Sequence, residues 1–488
     1  MNFDVSNLYS ATAEIFVAIM VLAIMLATAF ARSIARGLAY SFVQITLIVA
    51  AFITYFTLDA GNDFAFHNMF VHDQPGGILK MMVYLSMMVA LIYGRGYLAD
   101  RKLDRPEYYL LSLLSTLGMM VMITANHLLV LYIGLEMMSL SLYALVAFDR
   151  DAVRSTEAGM KYFVLGALAS GLLLYGMSMI YGATGGSLEL PAVKEAVLGA
   201  KNGNMTMVLL FGIVFLVAGI SFKLGVAPFH MWVPDVYQGS PTAVTLILSS
   251  APKLAAFALA MRLLVGALPD LAGQWQSMLL FVAAASIVLG NFAALAQHNI
   301  KRMLAYSGIS HMGFMLLGLL SGGGTGYSSA MFYVIAYALM TLAAFGMVVL
   351  LSREGFEAEN IGDFKGLNRR SPWFALLMLF VMFSMAGIPF FVGFFAKFSV
   401  LQAVIHAGHL WIAVLAVIMS LIGAFYYLRV VKFMYFDEPV NNTPLKASGE
   451  LLVMLSLNGM AIALLGLMPG ALLKWCAEAM KVAFTVSG

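Results

Sequence analysis

The sequence predicts an all-α polytopic membrane protein of about fourteen transmembrane helices, built as two inverted five-helix repeats with discontinuous helices 7 and 12. Three observations lead there. Of 488 residues, 62% are hydrophobic and only 10% are charged, whereas soluble domains run near about 25% charged. The apolar residues fall into runs long enough for helices that need about 20 residues to cross the hydrocarbon core. Two of those runs, five spans apart, are interrupted by proline.

In chain order the spans read 9–31, 37–58, 77–97, 107–124, 127–148, 157–182, 205–225, 241–266, 274–296, 300–320, 328–351, 373–407, 410–435 and 450–473. The first follows Asp4 rather than a basic region, so it reads as a retained helix and not a cleaved signal. Span 7 runs to Lys223 and then meets Pro228, His230 and Pro234 in KLGVAPFHMWVPDVYQGSP. Residues 373–407 are too many for one straight crossing and contain Gly387 and Pro389 in SMAGIPFFVGFF. Proline removes an amide donor and clashes with the preceding turn. At bilayer depth it is tolerated only where cavity, water or neighbours satisfy the freed carbonyls. Broken helices at corresponding positions of two halves point to the site of a transporter with internal repeats. A separation of five spans gives the two units opposite topology. A single membrane domain is expected, with residues 1–106 holding helices 1–3, 107–266 the first repeat, 274–435 the second, and 450–488 the last helix and tail. Direct similarity between the halves is weak, so the repeat rests on span count and breaks.

Loop charges orient the chain. Arg32 and Arg36, Arg101, Lys102 and Arg105, Arg150 and Arg154, Lys301 and Arg302, Lys365, Arg369 and Arg370, and Arg429 and Lys432 all fall in odd-to-even loops or in the span ends that border them. Among even-to-odd loops only the one with Lys194 and Lys201 is basic, and Glu189 and Glu195 offset it. The positive-inside rule places the odd-to-even loops in the cytoplasm and both termini outside.

Inside the apolar runs sit Glu136, Lys161, Lys223, Lys253, Arg262 and Lys397. An ionisable group at bilayer depth costs roughly 2.5–3.5 kcal/mol on insertion scales, so each is a functional candidate by default. Glu136 and Lys161, on consecutive spans, read either as a charge-pair gate or as a structural salt bridge, and Lys161 also lies close enough to its helix end to snorkel. Lys223 beside the first break reads as a proton carrier or as a cation neutralising freed carbonyls. Lys253 follows Pro252 with no carboxylate in its own span, which suits a neutral or hydrated amine. Arg262 cannot deprotonate and lies near the outer end of its span, so packing or snorkelling fits it better. A lone His311 would read as a core histidine, but its place between deep lysines, beside Ser307 and Ser310, favours a relay. Lys397 follows the second break. His230 and Asp235, where span 7 ends, suit water intake and capping equally. A net charge of +3 does not suggest nucleic acid as a partner, and one cysteine, Cys476, with eight scattered histidines supplies no metal, haem or iron–sulfur motif. The 36 methionines read as packing residues.

The runs FKLGVAPFHMWVPDVYQGSPTAV, APKLAAFALAMRLL and HNIKRMLAYSGISHMGF resemble the antiporter-like membrane subunits of respiratory complex I and of multisubunit sodium/proton antiporters. The resemblance covers roughly residues 75–435. PDVYQGSP and SAPK match one branch of that family best; others more often show PDAH or PEAY, or a glutamate where Lys397 stands. It maps family positions onto Glu136, Lys161, Lys223, Lys253, His311 and Lys397. It implies a proton-translocating membrane subunit of a bacterial NADH–quinone oxidoreductase in the plasma (inner) membrane. Protons would enter near Lys223, pass Lys253 and His311 by water and side-chain relay, and leave near Lys397. The Glu136–Lys161 pair would couple the chain to its neighbours. It implies no cofactor on this chain, with FMN, iron–sulfur clusters, NADH and quinone held by partner membrane and peripheral subunits. A sodium/proton antiporter subunit and a non-conducting structural subunit remain as alternatives.

Overall fold

The structure, a computed structural model, describes residues 6–30, 32–58, 63–201, 205–352, 354–439, 445 and 448–485. Among them thirteen helices are long and apolar enough to cross a membrane. They are Thr12–Phe30, Leu38–Thr57, Gln74–Asp100, Pro106–Thr124, Leu128–Val146, Val153–Ala183 and Thr206–Leu224 (spans 1–7), Thr242–Ala267, Pro269–Leu295, Ile300–Leu320 and Gly323–Leu351 (spans 8–11), then Leu410–Phe436 and Gly449–Leu467 (spans 13 and 14). Two shorter apolar helices, Pro372–Ala386 and Val392–His406, supply span 12 in two halves. The expected all-α polytopic class and the breaks in spans 7 and 12 are present.

Spans 8, 10 and 11 are each 94% buried over their apolar window, against 28% for span 1 and 39% for spans 6 and 13. The former therefore form the axis and the latter the rim. Gly290 brings span 9 against span 10, where a Cβ would stand 2.7 Å from the Ser310 amide nitrogen. That backbone contact lies one residue from His311. Asn299 caps span 10, its side chain accepting from the Arg302 amide at 3.0 Å, and so fixes where the His311 helix begins.

Loops segregate to two faces. On one, a hairpin pairs Asp63–Ala65 antiparallel with Phe70–His72, and the Asn126 amide reaches Met69 O at 2.9 Å. On the other, Arg154 meets Glu359 at 3.4 Å and Lys365 meets Asp437 at 3.6 Å. This alternation matches the odd and even loops. Asp4 and the side chains of Arg32, Arg36 and Lys201 lie outside the described residues.

Two elements depart from expectation. Span 8 is not one continuous helix: it runs Thr242–Ser249, turns at Ser250, resumes at Ala251–Ala260 and ends in a π-helical stretch, Met261–Ala267. Pro252 has no N–H for Leu248 O, which accepts the Tyr237 hydroxyl at 3.3 Å instead. The tail after span 14 is a further helix, Pro469–Thr485, packed on spans 11 and 3.

Candidate functional site

The first break follows from a glycine cap. Gly225 adopts φ +73°, a left-handed turn that ends span 7's first half, and a second piece, Trp232–Gly239, resumes it. Three carbonyls at this helix end accept from side-chain donors. Phe222 O accepts Trp232 Nε1 at 3.0 Å, while Leu224 O and Lys223 O receive Lys253 Nζ at 2.8 and 3.5 Å. Lys253 Nζ also lies 5.3 Å from the Trp232 ring centre. Lys223 itself turns away and donates to Ser139 Oγ of span 5 at 2.8 Å. The cation serving the freed carbonyls is thus Lys253, not Lys223. Both lysines are buried.

The second break repeats the device. Gly387 adopts φ +86°, and Lys397 Nζ donates to Met385 O at 3.0 Å, Ala386 O at 2.9 Å and Ser420 Oγ at 2.8 Å. Lys397 is buried, and its ammonium lies 5.3 Å from the Phe314 ring centre. Among the described residues neither Lys253 nor Lys397 has a carboxylate within salt-bridge distance.

His311, on span 10, lies within an aromatic network. Its Nδ1 lies 2.8 Å from the Tyr333 hydroxyl and its Nε2 3.1 Å from the Tyr427 hydroxyl. Tyr427 also bonds Ser307. Ser310 accepts from Asn291 Nδ2 at 2.9 Å. Tyr333 stacks on Phe314, whose ring centre lies 5.3 Å from the Lys397 ammonium, so two stacked rings connect the His311 and Lys397 surroundings. Among the described residues no hydrogen bond joins Lys253 to His311.

The expected Glu136–Lys161 pair is not formed. Lys161 binds Glu157, one turn back, at 2.9 Å and Asp235 at 2.9 Å, with 44% of its side chain exposed. It sits only eight residues past Val153, about 12 Å along the axis, so its four-carbon stem reaches carboxylates near the surface. Asp235 also takes Arg302 at 2.6 Å and is an ion-pair hub rather than a cap. His230 is half-buried beside the break, its Nδ1 buried without a hydrogen-bond partner. Glu136 Oε1 is likewise buried and unpartnered, in a cavity of about 580 Å³ walled by Leu111, Leu114, Ile133 and Met137. Glu136 precedes Ser139, the acceptor of Lys223, by one turn. Arg262 forks onto Asp73 at 2.5 and 2.8 Å and donates to Ile123 O at 3.1 Å, which makes it a clamp. Sequence reasoning missed a buried pair, Lys80–Glu14 at 2.9 Å, although both residues stand in apolar runs. Among the described residues no group of three His, Cys, Asp or Glu side chains could hold a metal ion.

Comparison with known proteins gives a consistent result. The family described as NADH:quinone oxidoreductase/Mrp antiporter, transmembrane, matches residues 125–423. The chain is 68% identical over 484 residues to NADH-quinone oxidoreductase subunit N of Azoarcus sp. strain BH72, covering 98% of each. It is 54% identical to the subunit of the same name from Nitrosomonas europaea, covering 97% of this chain and 98% of that one. Among solved structures, a chain of Thermus thermophilus respiratory complex I with bound aureothin is 31% identical, with a TM-score of 0.81 over 95% of this chain and 99% of that one. A chain of the Mrp complex from Dietzia sp. DQ12-45-1b has a TM-score of 0.84 over 97% of each, at 21% identity, a likeness of fold alone.

Proposed function

Because the chain belongs to the NADH:quinone oxidoreductase/Mrp antiporter family and is a membrane subunit of a complex I-type NADH–quinone oxidoreductase, we propose that protons cross it through Lys223, Lys253, His311 and Lys397. The observation that carries this reading is the pair of helix breaks, each with helix-end carbonyls accepting from a buried lysine that lacks a carboxylate partner among the described residues. Burial opposes a charge on such an amine and the carbonyl dipoles favour it, the pair of opposed influences a relay group works between. Protons enter near Lys223, where His230 and the Asp235 ion pairs flank the first break, and leave near Lys397. The gap between Lys253 and His311 is bridged by water. Glu136, one turn from the Lys223 acceptor and facing an open cavity, couples this chain to a neighbouring subunit, with Lys161 anchoring the helix end instead.

Residues 107–266 and 274–435 act as the two inverted units, supported by breaks five spans apart. The basic loops face the cytoplasm of a bacterial cell and both termini face the periplasm. FMN, iron–sulfur clusters, NADH and quinone reside in the partner subunits, and this chain contributes no redox centre.

The test is proton pumping by inverted vesicles. Lys223→Ala should leave the complex assembled and lower pumping strongly. Lys223→Arg should fail equally, since arginine keeps its charge at any working pH. Normal pumping by the arginine variant would make Lys223 a fixed charge and favour the non-conducting reading.

A further inference from the structure

A cavity of about 670 Å³ opens on the face opposite the basic loops, with none of the four relay residues in its lining. Its floor is Phe257 and Ala258 of span 8, and Met261 and the Asp73–Arg262 pair stand on its wall. Ala258 lies five residues past Lys253 on one helix, about 7.5 Å along the axis, and Arg262 about 13.5 Å. The cavity therefore reaches from outside to within two turns of a buried lysine.

Three features distinguish it from a surface dent. The first is charge: Lys194 and Arg262 are matched by Asp73 and Glu195, so the lining has no net charge with which to recruit an anion or a cation. The lining is mainly apolar, but Asn126 and Tyr327 beside these four charged groups supply hydrogen-bonding partners for water. The second is the seven-residue π-helical stretch Met261–Ala267 along its wall. Such stretches are rare, and they recur where a helix is distorted for function. The third is the ion pair, with the Asp73 side chain 5% exposed and that of Arg262 19%. A pair buried to that degree is no more stabilising than well-packed apolar side chains, so stability alone does not account for a polar closure at this point. Gly76 makes room for it: a Cβ there would stand 2.6 Å from Asp73 Oδ1 and 3.2 Å from Arg262 Nη2.

We propose that this cavity is a second water vestibule, through which Lys253 exchanges protons with the outer face, and that the Asp73–Arg262 pair is its gate. The inference rests on the relay reading of Lys253. It adds a side outlet upstream of His311, so Lys397 is not the only way out. Asp73 and Arg262 act as positioning residues that open or close access and carry no proton themselves.

Accessibility tests this directly in the assembled complex, in a Cys476→Ser background. A membrane-impermeant, positively charged methanethiosulfonate is applied to intact spheroplasts and to inverted vesicles. Met69→Cys, in the hairpin loop of the same face, marks the side. Ala258→Cys should label from the side that labels Met69→Cys, and several-fold faster once Asp73→Asn or Arg262→Gln breaks the pair. Ala255→Cys, fully buried on the same helix, should stay unlabelled. Labelled Ala258→Cys should pump less than the unlabelled protein. The vestibule is overturned by an Ala258→Cys silent from both sides in every background, or by labelling that leaves pumping unchanged. The gate is overturned by equal labelling rates with and without the pair. Failure of the relay reading looks different: Lys253→Ala would pump normally while the labelling pattern stayed as expected.

Discussion

The two helix breaks reach the same end by different routes. Each stops at a left-handed glycine, and each directs a lysine ammonium onto the last carbonyls of the stopped helix. At the second break that lysine comes from the resumed half of the same span, 11 and 12 residues beyond its acceptors. At the first it comes from the next span, 29 and 30 residues away. Lys223, the lysine on span 7 itself, is thereby released to reach Ser139 on span 5. The recurring unit is thus an ammonium set on helix-end carbonyls, and which helix supplies it is free to vary. Two buried lysines, Lys223 and Lys253, therefore lie beside the first break, and Lys397 beside the second.

The sharpest way to break this comparison is to remove the two carbonyl-bound lysines. Lys253→Ala should lower coupled pumping by about a hundredfold, the low end of what a positioned proton-transfer group contributes. Lys397→Ala should cost less, because the Ala258 vestibule still serves Lys253. The double variant should match Lys253→Ala alone, measured by vesicle acidification per quinone reduced. Equal losses from the single variants would remove the side outlet, and additive losses would separate the two units altogether.

Intermediate effects come from the glycine caps. A left-handed conformation costs a non-glycine residue roughly 1–2 kcal/mol, and the neighbours then differ. A Cβ at Gly225 would stand 2.6 Å from Val233 Cγ2, whereas one at Gly387 would stand 2.9 Å from Lys397 Cδ. Valine is branched and buried, while a lysine stem can swing. Gly225→Ala should lower the melting temperature of the purified complex more than Gly387→Ala. Gly387→Ala should instead lose pumping at near-normal stability, because it displaces the ammonium. Matching melting curves would show the breaks to be mechanically alike.

The smallest effects belong to the hydroxyl acceptors. A hydrogen bond to a charged group is worth about 1.5–3 kcal/mol. Ser139 is the hydrogen-bond partner of Lys223 Nζ, while Ser420 shares Lys397 Nζ with two carbonyls. Ser139→Ala should slow pumping several-fold and Ser420→Ala less. The reverse order would mean that carbonyl contacts contribute little at the second break.

Much of this was legible in the sequence, because lipid imposes strong rules. The span count, both proline breaks and the depth of Lys223, Lys253 and Lys397 follow from hydropathy and from the cost of a charge in hydrocarbon. Side-chain partners were not legible, since they depend on packing between distant spans. Tyr427 lies 116 residues from His311, and Asp235 lies 74 from Lys161. Sequence adjacency of spans 5 and 6 suggested Glu136 for Lys161, and the stem of Lys161 reached the surface carboxylates instead. The turn in span 8 had a visible cause in Pro252, yet its apolar run read as one helix. Lys80 and Glu14 obeyed the same hydropathy rule as the relay lysines and were passed over because no break marked them.

Under the proposed relay, the contacts of Lys397 also fix what would have to move for it to give up a proton. An ammonium has three N–H donors; an amine has two and a lone pair. The two remaining donors still match Met385 O and Ala386 O, so only the third partner has to reverse its sense. Ser420 can do so, because its own bond to Ala386 O is long at 3.4 Å and its hydroxyl is free to rotate onto the nitrogen. Ser139 is less free, since its hydroxyl is held by Leu135 O at 2.7 Å. In that relay, discharge at Lys397 would need one rotor and no helix movement, while discharge at Lys223 would first have to unfasten a bond within span 5.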